Sequence, residues 1–196
     1  MRWWGVVVAV SGMLLAACAQ AEPGVARPTG GVWSDVQGRW WGWASVPEAR
    51  NPVADRTGEF CGEGQPDDVW FVAGTFGGAV ERTCEVPAGR PLVGPVVNRI
   101  GTSGECALFM ADAKGQVSLD GVPVVPHEVG AVKTVVRAGA DNSWDLRAGE
   151  SRVTACGLWL WVPPLSPGRH ELRFEGSTGK FHVAAVYRLK VVGERA

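Results

Sequence analysis

Hydrophobic and polar residues alternate along several short segments of this chain, most clearly near its carboxyl end. From Phe181 to Val191 every second side chain is apolar or aromatic, whereas His182 and Lys190 occupy positions between them. An alternation with a period of two is typical of a β-strand that has one buried face. Residues 180–192 are therefore predicted to form a half-buried antiparallel strand.

Shorter apolar runs, bounded by glycine, proline or aspartate, predict further strands. They lie at residues 69–74, 79–86, 92–98, 116–119, 122–125, 131–137, 152–162 and 169–175. Asp120-Gly121 predicts a tight hairpin. Gly77-Gly78 predicts a turn that joins the strand at residues 69–74 to a return strand at residues 79–86, as in a hairpin. Pro95 predicts an edge position or a bulge in its strand, because proline cannot donate a ladder hydrogen bond.

Helical spacing is clearest in residues 103–115. Apolar side chains from Cys106 to Ala113 recur there at spacings of three and four, Ser103 can cap the amino end, and Gly115 can end the helix. Many short strands with this one helix predict an all-β fold. We expect an antiparallel two-sheet sandwich or jelly roll with one short helix, because each sheet has an apolar face to cover.

The amino-terminal segment has a different pattern. Arg2 is followed by an apolar run, residues 3–17, which is too short to span a bilayer. Residues 1–17 are therefore predicted to be a signal peptide, and residues 18–31, rich in alanine, glycine and proline, a flexible tether. Residues 32–192 are long enough for a single β-sandwich domain.

Leu15-Ala16-Ala17-Cys18 resembles the lipobox of bacterial lipoproteins. The resemblance implies that the Cys18 sulfur receives a diacylglyceryl group, that cleavage makes Cys18 the first residue, and that fatty acids such as palmitate complete the anchor. It predicts a protein held on the extracytoplasmic face of the cell membrane by its lipidated terminus. An ordinary secretory signal, with Cys18 as a core residue, is the alternative.

The composition and the motifs exclude several function classes. The chain has 19 basic and 20 acidic residues, so no excess of positive charge is left for nucleic acid. It contains no phosphate-binding loop, GxSxG elbow, HExxH motif or CxxC pair, and we expect neither a cofactor nor a bound metal. Asp141, Ser143 and Asp145 are spaced like the start of a calcium loop. The glycine and the closing glutamate of that loop are missing, which favours an Asx-rich turn.

Four cysteines remain once Cys18 is assigned to the lipid, an even number that predicts two disulfide bonds in an exported protein. Three pairings are open. We favour Cys61 with Cys84 and Cys106 with Cys156, because the first pair flanks a predicted strand and hairpin.

Aromatic residues are concentrated in residues 32–52, where Trp33, Trp40, Trp41 and Trp43 lie close together. In an extended strand, Trp40 and Trp41 would point to opposite faces, and Trp41 and Trp43 would share one. Such rings can form a platform for a sugar or another flat ligand, or they can fill a core. Both interpretations remain open from the sequence.

One series of tryptophan, glycine, cysteine and polar positions extends over most of residues 40–192. It comprises Trp40 to Trp43, Pro47, Asn51-Pro52, Asp55, Gly58, Cys61, Gln65, Val69 to Phe71, Ala73-Gly74, Arg82, Cys84, Val86 to Gly89, Asn98 and the segment Trp159 to Phe174. The series resembles a group of exported bacterial proteins that have no assigned function. The resemblance implies export and carries no activity over to this chain.

The candidate ligand-binding residues are polar positions within this series together with its first tryptophans. They are Trp40, Trp41, Trp43, Asn51, Asp55, Gln65, Arg82 and Asn98. Hydrogen bonding in turns and at strand ends is the alternative role for the polar ones. His170 shares a face with Leu172 and Phe174, which favours a hydrogen-bonded core histidine over a catalytic one.

These observations predict a non-catalytic binding or interaction module that meets a carbohydrate or another component of the cell envelope. An extracytoplasmic hydrolase is one alternative, and it would need two carboxylates, or a histidine and a carboxylate, converging in a cleft. A purely structural envelope protein is the other.

Overall fold

The structure, a computed structural model, describes Met1 and residues 30–193. The predicted signal peptide, Cys18 and the predicted tether up to residue 29 lie outside the described residues. Between residues 30 and 193 the chain forms nine β-strands, two α-helices and one short 3-10 helix. None of the helices in this range is long and apolar enough to cross a bilayer.

Most elements follow one another with short connections, but residues 51–69 form a long loop between the 3-10 helix and the first strand. The helices are α1 Gly30–Ala44, the 3-10 helix Glu48–Arg50 and α2 Ser103–Asp112. The strands are β1 Trp70–Phe71, β2 Gly78–Pro87, β3 Leu92–Ile100, β4 Lys114–Leu119, β5 Val122–Val124, β6 His127–Ala138, β7 Gly149–Val162, β8 Gly168–Thr178 and β9 Phe181–Val192.

The strands form two sheets. The four-stranded sheet has the order β1-β3-β7-β6, and the five-stranded sheet has the order β2-β9-β8-β4-β5. Most neighbouring strands are antiparallel, but β1 pairs with β3, and β2 with β9, in parallel. The prediction of an all-β, two-sheet sandwich is confirmed.

Apolar side chains from both sheets fill the space between them. Leu172 and Phe174 of β8 are almost completely withdrawn from solvent in this core. In β9 the predicted alternation is confirmed, because every second side chain from Val183 to Val191 is buried. Phe181, at the start of the same strand, is exposed.

The tryptophan-rich segment is a helix, so the face assignment considered for Trp40, Trp41 and Trp43 in an extended strand does not apply. α1 already begins at residue 30, inside the segment that the composition assigns to the tether. Trp33, Trp40 and Trp41 pack together on the face of the four-stranded sheet that is turned away from the five-stranded sheet. Their spacing of seven or eight residues is a helical period, but the adjacent pair of tryptophans conceals it.

Two glycines let α1 lie close against the edge strand β6. A Cβ atom on Gly38 would overlap the backbone oxygen of Val135 and the hydroxyl of Thr134. A Cβ atom on Gly42 would lie 3.0 Å from the backbone oxygen of Arg137. The helix therefore covers an edge of the four-stranded sheet that would otherwise be open to pairing.

The hairpin expected between residues 69–74 and 79–86 is also wrong. β1 is only two residues long and belongs to the four-stranded sheet, whereas β2 belongs to the five-stranded sheet. The glycines from Gly74 to Gly78 lie where the chain crosses between the sheets rather than in a tight turn within one sheet. In β3, which is an interior strand, the pairing with β7 is irregular between Pro95 and Val97, which confirms the predicted bulge.

The bounds of α2 differ slightly from those expected. Thr102 rather than Ser103 is the N-cap, and its side chain forms a capping box with Glu105. The helix ends at Asp112, because Ala113 already has extended backbone angles, and Gly115 lies in β4. The helix start is thus satisfied by a reciprocal pair of hydrogen bonds.

Both favoured disulfide bonds are present. The Cα atoms of Cys61 and Cys84 are 6.2 Å apart, and those of Cys106 and Cys156 are 5.8 Å apart. The first bond ties the loop before β1 to β2, and the second ties α2 to β7. Bonds that close such long stretches of chain stabilise a fold mainly by restricting its unfolded state.

Candidate functional site

Trp40 and Trp41 do not form an open platform. They are 2% and 3% exposed, respectively. The Trp40 ring packs edge-on against Trp159, with ring centroids 5.8 Å apart, and its Nε1 donates to the backbone oxygen of Val72 at 2.9 Å. Trp43 is half-buried, and its Nε1 donates to a loop carbonyl. These rings fill the core between α1 and the sheet.

Arg82 is a buried structural cation, 1% exposed. Its five N–H groups donate to the backbone oxygens of Val53, Asp55, Ala73 and Gly74 and to the hydroxyl of Tyr187. A buried guanidinium needs such partners, because an unpaired buried charge is strongly destabilising. Arg82 therefore ties two loops to the five-stranded sheet and has no donor left for a ligand.

The Asp55 carboxylate is held by the backbone of its own loop. Its oxygens accept hydrogen bonds from the backbone N–H groups of Thr57, Gly58 and Phe60. Burial alone would raise the pKa of Asp55, but these bonds and the nearby charge of Arg82 hold it below its ordinary value. Asp55 thus stabilises a turn in the ionised form.

Asn51 and Gln65 also bridge backbone groups. The Asn51 amide donates to the backbone oxygen of Ala44 at 2.9 Å and accepts from the N–H of Val53 at 2.8 Å. The Gln65 amide donates to the backbone oxygen of Phe71 and accepts from its N–H. Four of the five polar candidates, Asn51, Asp55, Gln65 and Arg82, therefore have the alternative role, which is hydrogen bonding in turns and at strand ends.

The fifth polar candidate, Asn98, lines a pocket together with Trp40. This aromatic pocket, defined by Phe76, Trp144, Phe181 and Asn98, has a volume of about 240 Å³ and walls from both sheets. Phe76 and Phe181 are 46% and 40% exposed. The pocket is thus the place where large aromatic surfaces meet solvent beside a polar side chain.

Helix α1 holds the Trp144 ring in place. The Nε1 of Trp144 donates to the backbone oxygen of Ala44, at the end of α1, at 2.9 Å. Trp41 packs edge-on against it, with centroids 4.8 Å apart, and Phe76 lies 4.8 Å away on a tilted plane. Trp144 therefore offers a preoriented ring to the pocket.

The side-chain amide of Asn98 has an unused hydrogen-bond donor at the pocket wall. Its Nδ2 atom is withdrawn from solvent and has no hydrogen-bond partner among residues 30–193. Leaving a buried donor unsatisfied costs roughly 1–3 kcal/mol, which an acceptor placed beside it would recover. The hydroxyl of Thr75, by contrast, is already engaged, since it donates to Gly78 at 3.2 Å.

The sequence did not place Phe76, Trp144 or Phe181 in a candidate site. Phe76 precedes two glycines, Trp144 lies in an Asp-Asn-Ser turn, and Phe181 is the first residue of β9, directly after Gly179-Lys180. A large ring in a turn or at the very end of a strand has few apolar neighbours in its own element. That placement is the signal that could have identified these residues.

His170 is partly buried and hydrogen-bonded through both ring nitrogens. Nδ1 lies 2.7 Å from Asp120 Oδ2, and Nε2 lies 3.0 Å from the backbone oxygen of Ser166. The Asp120 carboxylate raises the pKa of His170 against the opposing effect of burial, and the Ser166 carbonyl adds to the increase. Neither nitrogen is free to accept a proton from a substrate.

Within residues 30–193, no three His, Cys, Asp or Glu side chains are grouped so that they could hold a metal ion. The expected Asx-rich turn is present instead, because the Asn142 oxygen accepts hydrogen bonds from the N–H groups of Trp144 and Leu146. Asp141 and Asp145 both have left-handed backbone angles, with φ of 53° and 54°. Aspartate tolerates this conformation in turns.

Comparison with known proteins identifies no family. No protein-family model matches the chain, and no curated protein matches it. Among solved structures, the chain is similar to one in the structure of PbICP-C in complex with falcipain-2, with 9% identity and a TM-score of 0.27, over 65% of this chain and 94% of that chain. A TM-score this low carries no argument about function.

Proposed function

We propose that this protein is a lipid-anchored extracytoplasmic binding protein, not an enzyme, and that its aromatic pocket holds one ring of a cell-envelope ligand. The observation that carries the proposal is the grouping of four large rings, those of Trp40, Phe76, Trp144 and Phe181, around the Asn98 side chain. Mostly apolar pockets with a few placed polar groups are the usual form of small-molecule sites.

The size and walls of the pocket favour a sugar ring. A volume of about 240 Å³ is small for a drug-sized ligand and suits a single ring. The flat carbon face of a sugar can pack on Trp144, whose orientation is fixed from beneath by Trp41. Phe76 and Phe181 supply further apolar contact.

The free donor of Asn98 selects among sugars. Nδ2 has no partner among the described residues and is withdrawn from solvent, so a carbonyl oxygen on the ligand would satisfy it once the Asn98 amide turns towards the pocket. An acetamido group combines such a carbonyl with a methyl group that suits the aromatic walls. N-acetylated amino sugars are therefore the proposed ligand class.

The pocket walls argue against catalysis there. None of the side chains that line the pocket titrates in the ordinary pH range, and acid–base catalysis needs at least one that does. His170, the partly buried histidine, has both nitrogens engaged, one of them with a backbone carbonyl. Binding without turnover is the function that this arrangement supports.

The anchoring part of the proposal rests on residues 15–18 and their resemblance to a lipobox. The two disulfide bonds support export, because such bonds persist in oxidising compartments. Cys18→Ala should release the protein from the membrane, because it removes the residue that would carry the acyl chains on which stable anchoring depends. A wild-type protein that carries no lipid label on fractionation would refute the anchor.

A fluorescence titration tests the binding site. The full-length protein in detergent is titrated with N-acetylglucosamine, glucosamine and glucose, and the change in tryptophan emission is followed. We expect a saturable change that is largest for the acetylated sugar. Trp144→Ala and Asn98→Ala should weaken binding by about tenfold, equal to about 1.4 kcal/mol.

Leu108→Ala is the matched control. Leu108 is exposed on α2 and does not line the pocket, so its variant should bind like the wild type. Equal affinity in all four proteins, or no saturable response from folded protein to any of the sugars, would refute the proposed site.

A further inference from the structure

A second surface feature lies where α1 meets strands β6 and β7. It is a groove of about 450 Å³, here called the cationic groove, and its walls include Ser34, Lys133, Thr134, Arg152 and Thr154. Lys133 and Arg152 are both exposed, and neither forms an ion pair with any residue between 30 and 193. The hydroxyls of Ser34 and Thr134 already donate to backbone oxygens, so the groove offers chiefly two uncompensated positive charges.

Strand register places the two cations on one face. In the pairing of β6 with β7, Val135 lies opposite Arg152 and Lys133 lies opposite Thr154. Lys133 and Arg152 are therefore diagonal neighbours, within reach of a common ligand. The next cation along this face, Arg137, is already paired with Glu150 at 2.9 Å and does not add to the excess charge.

The outer face of the five-stranded sheet is different. Its cations face carboxylates: Arg188 pairs with Glu81, Lys190 with Glu85 and Arg173 with Glu171. Those charges compensate one another across neighbouring strands. The positive excess of the cationic groove is therefore a local property and not a general feature of the strand surfaces.

The groove lies beside the start of the described domain. The Ser34 hydroxyl donates to the backbone oxygen of Lys133 at 2.6 Å. Ser34 is four residues after the first residue of α1, which is about 6 Å along a helix axis. Cys18 precedes the first residue of α1 by only twelve positions in the sequence, so the proposed lipid at Cys18 would keep this groove near the membrane surface.

We propose that the cationic groove binds the phosphate oxygens of anionic lipid headgroups and so orients the domain on the membrane. The inference rests on the lipid anchor proposed above but not on the aromatic pocket. Arginine can bind a phosphate through two parallel hydrogen bonds, and lysine adds a point charge. Basic residues close to an anionic leaflet are attracted to it over about one Debye length.

Vesicle binding tests the inference. Lys133 and Arg152 are both changed to Gln in the full-length chain that carries Cys18→Ala, so that acyl chains do not hold the protein and the leader contributes equally to every variant. Partition onto phosphatidylcholine vesicles with and without phosphatidylglycerol is measured by sedimentation. We expect the double variant to lose roughly tenfold or more of its affinity for the anionic vesicles only.

The control changes Arg169 and Lys180 to Gln. Both are exposed and lie away from the groove, and the net charge of the variant is the same. Equal loss in the two variants would show a general charge effect and overturn the site. Because every protein in this assay lacks Cys18, failure of the anchor would appear only in the fractionation of wild-type cells.

A competition experiment with a soluble phosphate ester distinguishes a membrane headgroup from a free phosphate ester as the ligand of the groove. Glycerol phosphate is added to protein bound on anionic vesicles. We expect it to leave most of the protein on the vesicles, because a single headgroup lacks the attraction of the charged surface. Complete release at a low concentration would assign the groove to a soluble phosphate ester and overturn the membrane role.

Discussion

The two aromatic clusters of this protein have opposite relations to solvent. In α1, Trp40 and Trp41 are almost fully buried against the four-stranded sheet, whereas Phe76, in a turn, and Phe181, at the start of β9, expose 46% and 40% of their surface. The dense cluster in the sequence is the closed one, and the scattered residues form the open one. Aromatic density along the chain thus indicates a core here, and aromatic residues in or beside turns indicate a surface.

The clusters are joined through Trp144. Its ring lines the open pocket but packs against Trp41 of the closed cluster. Trp40 likewise reaches the pocket wall from the helix. The closed cluster is therefore the support of the open one, and changes in the two should affect different quantities: stability for the first and binding for the second.

The largest effect on stability is expected from Trp40→Ala. It removes a ring from a packed core and leaves the backbone oxygen of Val72 without its donor. We expect the free energy of unfolding to fall by about 3–5 kcal/mol, measured by urea denaturation. If that variant does not fold, Trp40→Phe should lose less. A loss below about 1 kcal/mol for Trp40→Ala would show that the cluster is not a closed core.

The contact between α1 and β6 gives the next largest effect. Gly38→Ala places a methyl group on the backbone oxygen of Val135, and overpacking of this kind costs about 1–3 kcal/mol. Gly31→Ala is the control in the same helix, because nothing lies within 4 Å of its Cβ position. We expect that variant to be neutral or more stable by about 0.5–1 kcal/mol. Equal urea midpoints for the two variants would contradict the close helix packing.

Raising the pH should reduce stability without affecting the pocket. The pKa of His170 is raised in the folded protein by its hydrogen bond to Asp120, so its contribution is complete below the unfolded value of about 6.5 and is lost as the pH rises through the folded value. The pair is near the surface, so the change should be at most about 1 kcal/mol.

Urea denaturation between acidic and alkaline pH measures this dependence. His170→Gln should flatten it. Sugar binding by the wild type should stay constant over the same range, because no titratable side chain lines the pocket. A sugar affinity that changed with pH as His170 titrates would show that His170 and the pocket are coupled, which would contradict this separation.

The smallest effect on stability is expected in the open cluster. Phe181→Ala removes a ring that is 40% exposed, so the free energy of unfolding should change by less than about 1 kcal/mol. Binding of N-acetylglucosamine should nevertheless weaken several-fold, as followed by tryptophan emission. A variant that lost stability but kept binding would reverse the roles given to the two clusters.

The sequence predicts most of the strands because their signal is local. The alternation from Val183 to Val191, the Asp120-Gly121 hairpin and the bulge near Pro95 each depend on a few neighbouring residues. The favoured disulfide pairing is also correct. These features need no knowledge of distant parts of the chain.

The predictions from the sequence fail where contacts between residues far apart in the chain determine the local structure. α1 is helical because a sheet face is available for Trp33, Trp40 and Trp41, and the partner β6 lies about 100 residues away. The pocket could not be predicted because residues 76, 98, 144 and 181 meet only after both sheets form. Of the eight candidate residues, the structure brings only Trp40 and Asn98 to this pocket.

Fluorine NMR of protein labelled with 5-fluorotryptophan tests the central claim most directly, because each tryptophan gives its own resonance. Trp144→Phe assigns the key signal. We predict that N-acetylglucosamine shifts the Trp144 resonance most. Trp33, on the buried face of α1, and Trp159, on the sheet beneath it, should keep their positions and resist broadening by a soluble paramagnet. Broadening of the Trp33 and Trp159 signals, with no shift of Trp144 at saturating sugar, would contradict the account.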